Sequence, residues 1–159
     1  MGLRIRVAND DDLDWMRLRH DAIYEEELGW GPGFNAIVAD IVEGFRARHD
    51  PDGERAWVAE LDGERVGMVM LVRLDEGTAK LRILLVEPRV RGRGIGSALV
   101  AECLDFARAA GYRKVTLWTD SGLDPARHIY QREGFRRVGS EPHQLYGEGL
   151  IAETWEKDL

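Results

Sequence analysis

The spacing of apolar positions along the chain predicts its first elements. Leu3 to Val7 alternates apolar and basic residues, which is typical of a half-buried strand. Two stretches with helical spacing follow, and their apolar positions run from Leu13 to Leu28 and from Phe34 to Phe45. Glycines and a proline between Gly29 and Gly33 separate the two stretches. We therefore predict one strand and then two helices.

Strand patterns dominate the middle of the chain. Ala56 to Leu61 and Val66 to Arg73 flank Asp62-Gly63, a dipeptide typical of a tight hairpin turn. A further apolar stretch, Ala79 to Val86, ends before Pro88, which has no N–H to give to a neighbouring strand. We expect these strands to form the antiparallel centre of the sheet.

Helical spacing resumes after this strand. A long helix begins at Ile95 and ends at Gly111, and it leads to a fifth strand, Val115 to Thr119. Because a helical crossover joins parallel strands, we expect the fifth strand to run parallel to the fourth. Asp124-Pro125 then begins a short helix that ends at Gly134, since proline favours the first helical position.

The C-terminal part of the chain predicts two more strands. Phe135 to Val138 begins one, which Glu141-Pro142-His143 interrupts, and Leu150 to Trp155 forms the other. The order of elements predicts a single α/β domain over residues 1–159, with a mixed, mostly antiparallel sheet of about seven strands flanked by about four helices. We expect the first strand near an edge, and the fourth and fifth strands to diverge at their C-terminal ends.

Composition excludes several classes of protein. With 159 residues, a net charge of −7 and a pI of about 5.2, the chain lacks the basic footprint of a nucleic-acid-binding protein. No apolar run approaches the roughly 18 residues of a membrane span, and the N-terminus lacks a signal peptide's apolar region. We expect a cytoplasmic protein without a membrane or nucleic-acid partner. Cys103, the single cysteine, lies on an apolar helix face, which favours a core residue over a nucleophile.

The residues between the fourth strand and the long helix predict an anion site. Gly92, Gly94 and Gly96 form a turn that would expose backbone N–H groups at a helix N-terminus, where the helix dipole is positive. Arg91 and Arg93 add positive charge and planar hydrogen-bond donors. The alternative is an ordinary glycine-rich turn with surface arginines. The spacing matches neither a Walker loop nor a dinucleotide-binding loop, so a different phosphate site is indicated.

Two motifs resemble one family. Arg91-x-x-Gly94-x-Gly96 after a Val-x-Pro strand end resembles the pyrophosphate loop of the GNAT superfamily of acyl-CoA N-acyltransferases. Ala126-x-x-x-Tyr130-x-x-x-Gly134-Phe135 resembles the superfamily helix that approaches the thiol of coenzyme A. One position departs from the pattern, since Leu123 stands where many members carry an asparagine that contacts the pantetheine arm.

The resemblance implies an acetyl-CoA-dependent N-acetyltransferase that acts on a primary amine of a small molecule or amino acid, by direct transfer in a ternary complex and without a metal. It assigns Tyr130 as the proton donor to the departing thiolate, with packing as the alternative role. The residues implied for binding acetyl-CoA are Leu84, Leu85, Val86, Arg91, Gly92, Arg93, Gly94, Ile95, Gly96 and Ser97. A protein or peptide N-acetyltransferase and a non-catalytic acyl-CoA sensor module stay open as alternatives.

Within the superfamily, the chain most resembles the acyltransferase half of MarR-type regulator–acetyltransferase fusions. Thr78 to Arg82, Lys114 to Thr119 and Glu153 to Trp155 carry this resemblance. Because Leu3 already begins the first strand, we expect no DNA-binding half here. The oligomeric state stays open between a monomer and a homodimer.

The general base and the acceptor site are less specified. The candidates for the base are Glu87, Asp120, the run Glu25 to Glu27 and a water chain. We expect Glu87 to face solvent. His128 and His143 are expected to be surface or hydrogen-bonded residues. Lys80 and Arg82 share a strand face and could bind an acceptor carboxylate, although pairing with acidic neighbours is slightly favoured. The loop at Trp30 and the segment Glu141 to Tyr146 are expected to wall the acceptor pocket.

Overall fold

Strands and helices follow one another in the order expected from the sequence, as described by a computed structural model for residues 2–159. The strands are β1 (Leu3–Val7), β2 (Arg55–Leu61), β3 (Glu64–Arg73), β4 (Thr78–Val86), β5 (Lys114–Asp120), β6 (Arg136–His143) and β7 (Leu150–Asp158). The helices are α1 (Asp10–Leu28), α2 (Pro32–Arg48), α3 (Ile95–Ala109) and α4 (Asp124–Arg132), with a short 3₁₀ turn at Pro88–Val90. The predicted α/β fold is confirmed.

All of these strands lie in one sheet, in the order β1-β2-β3-β4-β5-β7-β6. Neighbouring strands are antiparallel, except that β4 and β5 are parallel, as predicted. β1 lies at one edge and β6 at the other. The expected interruption at Glu141 to His143 is wrong, because β6 continues through Pro142 opposite Ile151. An edge strand tolerates a residue without an N–H, since one of its sides has no ladder to complete.

The two parallel strands separate partway along their length. Thr78 to Leu81 pairs with Lys114 to Leu117, and the ladder ends there. Just beyond it β4 carries a bulge, where Ile83 has a φ of 47° and the register with β3 shifts between Met68 and Met70. A bulge bends its strand away from a neighbour. The predicted divergence of the fourth and fifth strands is therefore confirmed, and it opens a slot between their C-terminal ends.

Helices cover both faces of the sheet. On one face α1 and α2 bury a cluster that includes Met16, Val42 and Met70, and on the other α3 and α4 bury a cluster that includes Leu99 and Leu117. The bulge and the slot thus lie between two packed helical layers. Among residues 2–159, no helix has the combined length and apolar character that crossing a membrane requires.

Candidate active site

The loop between β4 and α3 presents a run of backbone donors without acceptors. Within the described residues, none of the N–H groups from Gly92 to Ser97 donates to a protein acceptor. Gly92 and Gly94 have φ values of 82° and 80°, in the left-handed region that favours glycine. Consecutive free N–H groups at the start of a helix form an anion-binding concavity. The loop therefore fits a phosphate or pyrophosphate group.

The glycines of this loop have two different roles. A Cβ at Gly92 or Gly94 would meet no atom of residues 2–159 within 4 Å, so these positions need glycine for their backbone conformation and not for space. A Cβ at Gly96 would lie 2.4 Å from Cδ1 of Ile129 on α4. Gly96 therefore lets the start of α3 approach α4, which brings the loop beside the helix that carries Tyr130.

A cavity of about 500 Å³, here called the donor cavity, extends from this loop to the slot between β4 and β5. Nine of the residues predicted to bind acetyl-CoA line it: Leu84, Leu85, Val86, Arg91, Gly92, Gly94, Ile95, Gly96 and Ser97. Arg93, which was also predicted, is exposed and is not among the lining residues. The Arg91 guanidinium donates to the Glu27 carboxylate at 3.0 Å and to the Val86 carbonyl at 3.3 Å, which fixes it on the cavity wall.

Glu87 is not the solvent-facing residue that the sequence suggested. Its side chain is buried, and its two carboxylate oxygens accept hydrogen bonds from Nε and Nη2 of Arg19, both at 2.7 Å. This bidentate pair, which raises the pKa of Arg19, ties the end of β4 to α1. Because both oxygens are occupied, Glu87 is better suited to fixing the slot than to accepting a proton.

A second cavity, of about 350 Å³, lies between the sheet and the α1–α2 layer and is here called the acceptor cavity. Tyr24, Trp30, Phe34 and Tyr146 form an aromatic wall, with ring centroids 4.7 to 5.5 Å apart in the contacting pairs. The sequence had placed Trp30 and Tyr146 in segments walling such a pocket. The two cavities share four lining residues, namely Tyr24, Leu84, Leu123 and Ala126. A molecule in each could therefore meet at the slot.

Tyr130 lines the acceptor cavity next to these shared residues. Its ring packs near Phe135 and Trp155, with centroid distances of 5.9 and 6.4 Å. Within residues 2–159 its hydroxyl has no hydrogen-bond partner, yet it is not sealed from the cavity. Burial raises the pKa of Tyr130 above its ordinary value, so the hydroxyl keeps its proton at neutral pH. Tyr130 thus combines a packed ring with an available donor.

Asp120, at the end of β5, has both carboxylate oxygens occupied. Nε2 of His143 donates to Oδ1 at 2.7 Å, and the Tyr146 hydroxyl donates to Oδ2. Nδ1 of His143 in turn accepts from the Leu145 N–H at 3.3 Å, so neither ring nitrogen is free. The expectation of a hydrogen-bonded His143 is confirmed. The network holds Tyr146 in the cavity wall and leaves Asp120 poorly placed to act as a base.

His20 is a cavity residue that sequence reasoning missed. The sequence pattern places it on the apolar face of α1. An ionisable residue among apolar ones was the available indication that it could belong to a site. Its Nδ1 lies 3.2 Å from the Met16 carbonyl, which can only accept, so Nδ1 carries the proton and Nε2 is left as an acceptor. Burial lowers the pKa of His20 to about 4. The ring is therefore a neutral acceptor lining the acceptor cavity.

This burial predicts an acid-sensitive stability. Between pH 6.5 and about 4 the unfolded chain binds a proton at His20 and the folded chain does not. The free energy of unfolding should therefore fall with decreasing pH by about 1.4 kcal/mol per pH unit from this residue. His20→Gln should show a slope shallower by that amount in urea unfolding across this range. Parallel slopes for the two proteins would contradict the buried neutral imidazole.

Cys103 lies in the core, as the sequence predicted. It is fully buried, burial raises the pKa of its thiol well above the ordinary value, and it lines neither cavity. Cys103→Ala should lower the free energy of unfolding by about 1 kcal/mol, because it removes a small core group, and leave turnover unchanged. Denaturant unfolding and steady-state rates measure the two effects. An acyl-cysteine found by mass spectrometry would show covalent catalysis instead.

Lys80 and Arg82 line the acceptor cavity from β4. Pairing with acidic neighbours, which the sequence slightly favoured, is not found, since within residues 2–159 neither side chain has a carboxylate oxygen within 4.0 Å. The charge of Glu54 acts on Arg82 and raises its pKa, but Glu54 forms no ion pair with it within 4.0 Å. Both cations are therefore available to a ligand.

A loop that fits a phosphate or pyrophosphate group, a slot between diverging parallel strands and an adjoining pocket therefore lie side by side. Residues 13–135 match the model of the Acetyltransferase (GNAT) family. The chain belongs to this family, whose members use acetyl-CoA as co-substrate.

Similar proteins agree with this assignment. The chain is 39% identical over 99 residues to N-acetylaspartate synthetase of Danio rerio, covering 61% of this chain and 35% of that protein. It is 35% identical over 107 residues to N-acetyltransferase 8 of Homo sapiens, covering 64% and 46%. The chain thus spans less than half the length of these relatives. In fold it is similar to a GNAT acetyltransferase of Staphylococcus aureus, with a TM-score of 0.82, 18% identity and 99% of each chain covered.

Proposed function

We propose that this chain transfers the acetyl group of acetyl-CoA to a primary amine of a small molecule or amino acid. The observation that carries the proposal is the junction of the donor and acceptor cavities at Tyr24, Leu84, Leu123 and Ala126. The acceptor cavity, about 350 Å³ in volume, has the size of a small-molecule pocket. The similar proteins named N-acetylaspartate synthetase support a small amine over a peptide.

The proposed binding of acetyl-CoA uses backbone groups more than side chains. The free N–H groups from Gly92 to Ser97 take the pyrophosphate, and Arg91 contributes positive charge from the cavity wall. The pantetheine arm, which carries amides, pairs with the edge of β4 at Leu84 to Val86 that the divergence from β5 leaves open. Because backbone pairing is independent of side-chain identity, the apolar Leu123 in place of asparagine is compatible with this arrangement.

The proposed transfer is direct. Acetyl-CoA supplies an activated thioester, and the acceptor nitrogen bonds to its carbonyl carbon as the carbon–sulfur bond breaks. The Tyr130 hydroxyl, protonated at neutral pH, gives its proton to the departing sulfur, and the proton released by the nitrogen restores the hydroxyl. Cys103 is buried away from both cavities, which supports a ternary complex over an acyl-enzyme.

Several finer features stay predictions beside this proposal. They are the resemblance to MarR-type fusions, the cytoplasmic location, the extent of the domain over residues 1–159 and the choice between monomer and homodimer. A sensor module that binds acetyl-CoA without transferring its acetyl group is the competing function, and the fusion resemblance is what motivates it.

Release of coenzyme A thiol from acetyl-CoA, measured with a panel of amines and amino acids, tests the proposal. Amine-dependent thiol release, with the N-acetyl product identified by mass spectrometry, is the expected result. Calorimetry of acetyl-CoA binding runs in parallel. Binding without thiol release for any amine would overturn the enzyme proposal in favour of the sensor.

A further inference from the structure

Two cations project from one strand into the acceptor cavity, and no residue between 2 and 159 supplies a counter-ion. Lys80 and Arg82 lie two residues apart on β4, so they share a face of the sheet, and both line the cavity. Both are half-buried. Neither takes part in an ion pair or a side-chain hydrogen bond with residues 2–159.

The acidic residues around the cavity do not neutralise this pair. Asp120 is occupied by His143 and Tyr146. Asp40, on α2, lines the cavity but is exposed and forms no ion pair with either cation. Partial burial of two neighbouring cations is unfavourable unless an anion accompanies them. Desolvation and the proximity of Arg82 lower the pKa of Lys80. Desolvation, which the charge of Glu54 opposes only in part, lowers the pKa of Arg82, and both shifts reflect this cost.

We infer that Lys80 and Arg82 bind a carboxylate of the acceptor, so that the substrate of this site is an amine carrying at least one carboxylate, of the amino-acid class. The inference rests on the proposed function and identifies its substrate class. A guanidinium binds a carboxylate through two parallel hydrogen bonds, and an adjacent ammonium adds a third donor group. An amine without a carboxylate would leave the two cations unpaired in the cavity, which disfavours binding of such an amine.

The position of the pair along β4 suits this role. Leu84, which both cavities share, marks the slot where the acetyl group is transferred. Arg82 precedes it by two residues, with the bulge at Ile83 between them, so the two lie at most about 7 Å apart along the chain. The side chain of Arg82 and a bound amino acid can together span this distance. The nitrogen of the amino acid would then lie at the slot, and its carboxylate would point toward Arg82 and Lys80. The aromatic wall at Trp30 and Tyr146 covers the remaining, apolar side.

Acceptor pairs that differ only in a carboxylate test the inference. Thiol release is measured with alanine against alaninamide and with phenylalanine against phenylalaninamide. The carboxylate-bearing member of at least one pair should have a KM at least tenfold lower. Arg82→Gln should remove that preference by raising the KM of the carboxylate-bearing member at least tenfold, while the acetyl-CoA affinity stays unchanged. Arg82→Lys, which keeps the charge, should recover part of it.

Arg4→Gln, an exposed arginine on β1 far from either cavity, is the matched control and should leave all KM values unchanged. Equal KM values within both pairs, or an unchanged preference in a folded Lys80→Gln/Arg82→Gln double variant, would overturn the inference. Failure of the proposed function gives a different result, namely no thiol release from any amine. In that case each member of the pairs is titrated into the complex of the protein with coenzyme A. The binding affinities measured by calorimetry then decide the carboxylate preference.

Discussion

Gly94→Asp is expected to weaken acetyl-CoA binding at least tenfold, about 1.4 kcal/mol, while the fold survives. The substituted carboxylate would lie among the free N–H groups from Gly92 to Ser97, where it would occupy the donors meant for the pyrophosphate and repel its charge. In the described part of the chain a Cβ at this position meets no atom within 4 Å, so the added side chain has room. Isothermal calorimetry with acetyl-CoA measures the loss.

Gly94→Asn separates charge from backbone strain. Position 94 has a φ of 80°, in the left-handed region. Asparagine and aspartate are of similar size, and both enter this region more readily than other non-glycine residues. Asparagine brings no charge, so its effect should be several-fold smaller than that of aspartate. Equal losses for the two variants would assign the effect to the backbone. Unchanged binding by a folded Gly94→Asp protein would remove the pyrophosphate from this loop.

Much of the fold could be predicted because local patterns determine it. The alternation of Leu3 to Val7, the Asp62-Gly63 turn and the proline after β4 each restrict the backbone within a few residues. The helical crossover from β4 to β5 then requires parallel pairing. Pro142 shows where local reasoning fails. Its effect depends on whether a strand lies at the sheet edge, and that is a property of the whole topology.

The donor side of the site could be predicted for the same reason. Its donors are backbone groups of one continuous loop, and Gly92 and Gly94 indicate the backbone conformation that exposes them. Glu87 was misplaced because its direction depends on Arg19, which lies 68 residues away in the chain. The acceptor side combines residues from α1, α2, β4 and the segment after β6. That Lys80 and Arg82 find no partner among residues 2–159 therefore appears only in three dimensions.

Tyr130→Phe is expected to reduce kcat on the order of 10²-fold, the usual effect of losing a positioned acid. Phenylalanine keeps the ring that packs near Phe135 and Trp155, so the stability and the acetyl-CoA affinity should change little. Tyr112→Phe is the matched control. Its hydroxyl donates to the Gly53 carbonyl and it lines neither cavity, so its removal should affect stability and not kcat.

The size of the Tyr130 effect depends on how much the departing thiolate needs a proton. An ordinary thiol has a pKa of about 8.5, so the thiolate is already a fair leaving group at neutral pH and water could partly replace the acid. The pH profile resolves this, because solvent supplies protons more readily as the pH falls. The defect of Tyr130→Phe should therefore shrink toward low pH where solvent replaces the acid and stay constant where it does not. A wild-type rate in Tyr130→Phe at saturating acetyl-CoA and acceptor would make Tyr130 a packing residue and water the proton source. Within residues 2–159 the Tyr130 hydroxyl has no hydrogen-bond partner and lies at the wall of the acceptor cavity, which favours Tyr130 as the acid.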